Sequence, residues 1–576
     1  MTITLPRVIW ITPARLRVVA GRRYGCATPQ PSFVRFMDPI LVPHSHNPLS
    51  PRRTTQPVAD PTATPRSPVI VWMQRLLLPP VVRVRLVLLL GFLGALIVVI
   101  TAPVRREAAP SWRLMLPFVP HPGHAVFSFG SFIVGMTLLA LAWIRLGAFA
   151  SDRSETARRR MCIVLAAAAL WTLPILFSPP LLSNDVYSYA AQGELASRGV
   201  DPTVVGPNAL GGGPFMRAAD AIWWNNPAPY GPAWNKIAET VVVATDHDAA
   251  LSVWALRGVV LLAVIIAAFA LYDLTRARNP ALALAMGIAN PIVLIHLVGG
   301  IHNDAVMLAL MMVALACARR SWFLTSVAFM TLATAVKLPA AAGLVYLGWH
   351  TPYVRAQAQR FVASGLTLCV GLISSVMLSF AWGMSLGWVS ALKGTGKVMS
   401  TFAPTTMLGL SLSEAFSFVG IVVDPGHAVA LSRLVGLLGA AAIAMWLLHR
   451  SERSTMERAL GLSMALAVLF GPVLWPWYAA MAFTILAASD VTRARAACVV
   501  WTVAVALFVF PTSVGTHLGL AQFQAWLGIA LLVALTVVSS ICQGIVGDPI
   551  APQSVLQAIR ARREKLVLED VELARV

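Results

Sequence analysis

Asp185, Tyr189 and Gln192 stand at i, i+4 and i+7 in LLSNDVYSYAAQG (residues 181–193), a spacing that puts all three on one face of a helix. Such a stripe combines a proton acceptor, an aromatic platform and a hydrogen-bonding amide. Ser183 is placed to cap a helix that begins at Asn184, and Gly199 to end it as a C′ glycine. A plainer use of Asp185 competes with this, because an acidic side chain in the first turn suits the helix dipole. The neighbouring segments argue for more than capping. DPTVVGPNALGGG (201–213) and WWNNPAPYGPAW (223–234) are rich in Gly, Pro, Trp, Asn and Tyr. Flat rings such as Tyr187, Tyr230 and Trp234 beside amides are what a carbohydrate site needs. The enrichment of Trp and Tyr at membrane interfaces is the competing account.

A second cluster lies in NPIVLIHLVGGIHNDAV (290–306). His296 and His302 flank a Gly-Gly turn, and Asn303 and Asp304 open the next apolar segment. Asp304 alone reads as an N-cap. Two histidines, an amide and a carboxylate around one turn could instead hold a phosphate, and their spacing matches no known metal site. Lys337, in ATAVKLPAAAG, is lodged between two apolar stretches; an ionisable residue there points to function, with snorkelling to the surface as the alternative. Arg433, in VALSRLVGLLG, falls inside another apolar run, and GPVLWPWYAA (471–480) is a Pro-broken turn bearing Trp475, Trp477 and Tyr478. Asp246-His247-Asp248 has D-x-D spacing, but it directly precedes an apolar helix that Asp248 would cap.

The elements that carry these residues are apolar. Of 576 residues, 58% are hydrophobic and 12% charged, against about a quarter charged in a soluble domain; the mean hydropathy is +0.74. The chain is therefore an all-α integral membrane protein. Its net charge of +20 comes from 44 bases and only 24 acids. These bases punctuate apolar runs instead of clustering on one soluble face, which excludes a nucleic-acid partner. Six scattered cysteines with no CxxC spacing predict neither a disulfide framework nor a zinc site.

Residues 1–80 read as a disordered, basic and Pro-rich cytoplasmic tail, 81–545 as the membrane domain and 546–576 as an amphipathic cytoplasmic tail. Runs long enough for ~30 Å of hydrocarbon predict roughly 12 to 14 spans. They are 84–102, 126–146, 161–178, 251–273, 281–298, 305–318, 322–336, 338–349, 361–383, 427–448, 459–474, 476–489, 496–511 and 519–542. The pairs within 322–349 and 459–489 are short for two crossings each and read as tilted or re-entrant. Arginines concentrate in alternate loops, at 145–160, 276–278, 319–320, 355–360, 450–458 and 493–495. The positive-inside rule makes those loops and both termini cytoplasmic. The long 179–250 loop, with Asp185, then faces outward.

Taken in order, SNDVYSYAAQG, DPTVVGP, APYGPAW, ANPIVLIHLVGGIHND, AVKLP and WPWY resemble the polyprenyl-phosphomannose-dependent α-(1→6)-mannosyltransferases of mycolic-acid-bearing actinobacteria. These are multi-spanning glycosyltransferases of the GT-C class that build the mannan backbone of lipomannan and lipoarabinomannan. The resemblance covers roughly residues 85–545, and departs at Thr203, where members commonly read Tyr. It implies a catalytic carboxylate in the first large extracytoplasmic loop, matched here by Asp185. It also implies a membrane-bound, lipid-linked mannose donor and an acceptor that is a mannan, a phosphatidylinositol mannoside or lipomannan. On that reading Asp185 takes the proton of the acceptor 6-hydroxyl in an inverting attack, and Lys337, Arg433 and His302 stabilise the leaving phosphate. Tyr187, Tyr189, Gln192, Tyr230, Trp234, His296, Asn303, Asp304, Trp475, Trp477 and Tyr478 complete the expected substrate contacts. No metal or other cofactor is required. Two alternatives stay open: a related transferase of arabinose or of mannose to protein, and a flippase for a lipid-linked sugar. A flippase should show paired halves with polar groups at the midplane, and no internal repeat is visible.

Overall fold

A computed structural model describes residues 84–101, 125–396 and 403–489, with Val499, Thr502, Val503 and Val505. The expected tails 1–80 and 546–576, the expected span 519–542 and most of 496–511 lie outside these residues. Among the described residues every regular element is helical.

Helices α1 (Val84–Thr101) and α2 (Ala125–Ser151) pack along each other. The Trp171 indole of α3 (Ala157–Leu176) donates to Leu88 O at 3.0 Å and ties α3 to α1. Thr156 caps α3 by accepting from Arg159 N, so the helix starts at its arginines and ends just before the 179–250 loop. That loop folds into α4 (Asp185–Ser197), α5 (Gly213–Ala218) and α6 (Pro232–Ala244), with α4 and α6 packed together. Helix α7 (Ala249–Thr275) then runs back to Arg276. Its cap is Asp248, which accepts from Leu251 N at 2.7 Å, so the D-x-D spacing has a structural use.

The expected span 281–298 is broken. Helix α8 (Pro280–Gly287) stops before Asn290-Pro291, because proline lacks an N–H and disfavours helix at the residue before it. The Asn290 side chain replaces the lost backbone bonds: Oδ1 accepts from Ile292 N at 2.9 Å, and Nδ2 donates to Met286 O at 3.2 Å and Thr502 Oγ1 at 3.0 Å. A π-helical turn, Val293–Gly299, follows, and it meets α9 (Asp304–Arg319) at a bend of 114°. Helix α10 (Phe323–Val336) returns beside α9. The remaining helices are α11 (Ala341–Trp349), α12 (Gln357–Ala381), α13 (Gly387–Gly396), α14 (Pro404–Phe418), α15 (Pro425–Arg450), α16 (Met456–Leu469) and α17 (Pro476–Ala487).

Six of the described helices (α1, α2, α3, α7, α12 and α15) are long and apolar enough to cross a membrane. The bent pair makes a seventh, and Phe323–Val336, Leu338–Trp349 and Pro476–Ala487 are shorter apolar helices. Several segments expected as separate spans are therefore broken or short. Arginines mark one set of helix ends. Arg319 of α9 makes two 2.6 Å bonds to Glu457 of α16, and Arg320 pairs with Asp273 of α7. Asp185, Asp304, Lys337 and Trp477 belong to the opposite ends of these same helices or to the loop between them.

Candidate active site

Helix α4 begins with Asp185, one residue later than a Ser183 cap would start it. Asn184 is the N-cap and makes no side-chain capping bond. Ser183 Oγ instead accepts from Asp185 N at 3.2 Å. Gly199 follows the helix with φ +74°, as its sequence position suggests. Leu181 N donates to Gly299 O at 2.9 Å, so the approach to Asp185 is stitched to the Gly-Gly turn of the second cluster. That stitch brings Asp185 Oδ2 to 3.7 Å from His302 Nδ1. The Asp185 side chain is 22% exposed, whereas His302 is fully enclosed.

His302 stacks on Trp477, with centroids 3.9 Å apart and planes 15° from parallel. Trp475 stacks on Trp477 in turn, at 4.9 Å and 11°. Trp477 is only 6% exposed, so it has no free face for a sugar ring, and Trp475 is the half-buried member of the stack. The Tyr189 hydroxyl lies 3.5 Å from the same His302 Nδ1. Its ring is wedged edge-on between Tyr230 and Trp234, at 5.2 and 5.1 Å. Tyr189 and Trp234 are buried at 1% and 0% exposure. They form the wall behind Asp185, while half-buried Tyr230 and Tyr478 supply the accessible aromatic surface.

Asp304 does not cap α9, whose N-cap is Asn303. Its Oδ2 instead accepts from Lys337 Nζ at 2.7 Å. Lys337 closes α10 in an extended conformation, and its ammonium lies 4.4 Å from the Tyr478 ring centroid and 5.7 Å from that of Tyr230. Glycine is needed at 231 for this assembly. Gly231 N donates to Val336 O at 3.1 Å, and a Cβ there would sit 2.2 Å from Ala335 O. The close approach delivers Tyr230 to Lys337.

Burial pushes the Asp185 carboxyl up to about 6; Lys337 opposes that rise, and Asp304 and, more weakly, Asp220 add to it. Asp185 keeps some contact with solvent where Asp304 does not, and among the described residues it makes no hydrogen bond to a cation. It is poised to exchange a proton near neutrality. Asp220 was not evident in the sequence. It caps the turn before Trp223 and its Oδ2 lies 3.5 Å from Asn184 Nδ2, a pairing across 36 residues with no local signal.

The other expected site residues divide. His296 is buried beside Trp477 at 6.3 Å, and Asn303 is fully buried; His296 Nδ1 and both polar atoms of Asn303 make no hydrogen bond within the described residues. Gln192 is buried on α4 and makes no hydrogen bond to the cluster. Tyr187 is buried on α4 and lies in the field of Arg257. Arg433 is not brought to Lys337. Its Nε and Nη2 donate to Thr406 Oγ1 at 3.1 and 2.8 Å, and Nη2 to Pro472 O at 3.2 Å, so it braces the turn that leads to Trp475. Asp201 accepts from Thr203 N at 2.8 Å and Ser385 N at 2.7 Å and fastens the first loop to the start of α13. Among the described residues no three His, Cys, Asp or Glu side chains gather as a metal site.

The fold and site define a multi-spanning membrane protein with a carboxylate, an imidazole and an ammonium gathered at one end of its helices. Residues 88–353 match the family described as alpha-(1→6)-mannopyranosyltransferase, N-terminal domain, and residues 405–541 match the MptB C-terminal domain. A probable alpha-(1→6)-mannopyranosyltransferase of Mycolicibacterium smegmatis is 30% identical over 448 residues, 70% of this chain and 79% of the relative. An alpha-(1→6)-mannopyranosyltransferase of Mycobacterium tuberculosis is 28% identical over 484 residues, covering 74% and 81%. Alpha-(1→6)-mannopyranosyltransferase A of Corynebacterium glutamicum is 28% identical over 386 residues, covering 61% and 77%. The chain belongs to the α-(1→6)-mannopyranosyltransferase family and is a membrane glycosyltransferase.

Proposed function

We propose that the protein transfers mannose from polyprenyl-phosphate-mannose to the 6-hydroxyl of a mannan or lipomannan acceptor, at the outer face of the plasma membrane and with inversion. The observation that carries this reading is the largely buried but still solvent-touched Asp185 carboxylate in the field of an enclosed ammonium, at the helix ends opposite the arginines. Asp185 takes the acceptor hydroxyl proton as O6 bonds to the anomeric carbon. The bond from that carbon to the β-linked phosphate oxygen breaks, and the phosphate leaves with the electron pair. Lys337 holds one of its three N–H groups on Asp304 and keeps the others for phosphate oxygens. Asp304 fixes the direction of that ammonium. Tyr230, Tyr478 and Trp475 offer partly exposed ring faces to sugar C–H groups. The outward orientation of the site follows from the arginine-marked ends lying inside. The reaction as drawn uses no metal or other cofactor.

The reading is tested with membranes containing the protein, labelled polyprenyl-phosphomannose and a synthetic α-1,6-dimannoside. The expected product is an α-1,6-linked trimannoside, formed from the lipid-linked donor and not from a nucleotide sugar. A different linkage, transfer from a nucleotide sugar, or movement of the donor between leaflets without transfer would overturn it.

A further inference from the structure

The ring of His302 is confined more closely than substrate contact alone would explain. Trp477 covers it by stacking, and the Gly299–Gly300 turn presses on its far edge. A Cβ at Gly300 would lie 2.5 Å from His296 O, 2.8 Å from His302 Cδ2 and 3.0 Å from His302 Nε2, so any side chain there displaces the imidazole. Nε2 makes no hydrogen bond within the described residues, and Nδ1 alone meets polar partners, Asp185 Oδ2 at 3.7 Å and the Tyr189 hydroxyl at 3.5 Å.

We propose that His302 is a positioning residue whose Nδ1 edge orients the Asp185 carboxylate, and that Trp477 and Gly300 act on the reaction through this ring. The inference rests on Asp185 being the base. At 3.7 Å the approach is longer than a hydrogen bond, and a small rotation of the carboxylate closes it, as catalytic contacts tighten when substrate binds. His302 keeps its proton throughout; it aims the base and supports its ionised form. Trp477 belongs to the segment matched by the C-terminal domain and Asp185 to the N-terminal one, so the stack is how one region of the chain sets the base carried by the other.

The test reads kcat, KM and the acid limb of the rate profile for transfer from polyprenyl-phosphomannose to the dimannoside. The charged and titratable groups that bear on Asp185 are Lys337, Asp304, Asp220, His302, Tyr189, Tyr230 and Tyr478; all but His302 stay constant in the variants. His302→Phe keeps a ring on Trp477 but removes the nitrogen. It should lower kcat by about 10- to 100-fold, the usual result of a misplaced catalytic group. Donor KM should barely change, and the acid limb should move to higher pH because the carboxylate loses a donor. His302→Asn, whose amide stands at the Nδ1 position, restores an N–H there and should recover part of both effects. Trp477→Leu and Gly300→Ala should each lower kcat in the wild-type background yet add little to His302→Phe. If either fails to accumulate in membranes, Trp477→Phe decides: it keeps the stack and must keep most of kcat. An acid limb unmoved in His302→Phe, or losses that multiply in the double variants, would overturn the proposal. Retained turnover in Asp185→Asn would instead remove the base reading beneath it.

Discussion

The two ends of helix α4 carry carboxylates treated in opposite ways. At its C-terminal end Glu194 is met by His247 Nδ1 at 2.6 Å and Arg198 Nε at 2.8 Å. Burial alone would raise its carboxyl, but the bonds from His247 and Arg198 outweigh that and hold it below the ordinary value. At the N-terminal end Asp185 has His302 at 3.7 Å and, among the described residues, no direct cation, and burial lifts it to about 6. Both sit on the same short helix. The carboxylate at one end is given its counter-charges; the one proposed as the base is left without them, and the ammonium that would match it is engaged by Asp304.

The sharpest way to break this contrast is Asp185→Asn. Turnover should fall by about 10²- to 10⁴-fold, the range for loss of a general acid–base group, as measured by mannosyl transfer in membranes. Stability should move the other way. A raised carboxyl contributes stability that is complete below its unfolded value and is lost as pH rises through the folded one, near 6. The charged form therefore costs stability at pH 7, and the asparagine variant should unfold at the same temperature or higher. A variant that is both inactive and less stable would mean that Asp185 serves the fold.

Next is Lys337. Lys337→Met alone leaves Asp304, 2% exposed, without its cation, and an unpaired buried charge is destabilising. Lys337→Met with Asp304→Asn removes the pair while preserving shape, so it should fold where the single variant is weakened. It should remain slower than wild type by about 10²-fold, the usual cost of one lost group facing a developing charge. Arg433→Gln should cost much less rate, because its guanidinium is engaged by Thr406 and Pro472. Equal losses for Arg433 and Lys337 would place the phosphate nearer to Arg433.

The pH profile separates the two ends of the helix without mutation. A base with its carboxyl near 6 gives a kcat/KM that rises tenfold per pH unit below about pH 6 and then levels. A midpoint near 4, where an ordinary aspartate titrates, would show that Asp185 is more solvated in the working enzyme than burial implies.

The sequence exposed the materials of this contrast better than its geometry. Apolar runs, punctuating arginines and the quoted motifs are enough to read a multi-spanning all-α glycosyltransferase, and they single out Asp185 as the candidate base. Pairings across the chain were out of reach: Asp304 with Lys337, 33 residues apart, and Glu194 with His247, 53 apart, leave no local pattern. On sequence alone Asp304 therefore suggests a cap, and His247 belongs to a D-x-D whose last member is the cap. Trp477 is expected as a substrate contact because composition reveals a ring but not whether its faces are already covered. The broken 281–298 segment has the opposite lesson. Asn290-Pro291 breaks the helix, yet the apolar run 281–298 extends through it because hydropathy averages over the pair.

The smallest effect belongs to the other end of α4. Glu194→Gln removes the charge that His247 and Arg198 share, yet it leaves the shape and touches nothing around Asp185. The side chain of Glu194 is 5% exposed, while those of Arg198 and His247 are about half exposed and well screened. The expected loss of stability is therefore about 1 kcal/mol, nearer to a surface pair than to a buried one. Its pH dependence identifies the source. A lowered carboxyl contributes stability above its unfolded value, about 4.3, that is lost as pH falls through the lower folded value. Wild type and Glu194→Gln should differ in thermal unfolding at pH 7 and converge in strong acid, where the wild-type glutamate is protonated. Transfer rates at 25 °C should agree within a few-fold. A large loss of kcat with unchanged unfolding would mean that the pairing at Glu194 governs Asp185 along the helix, and that the two ends are one device.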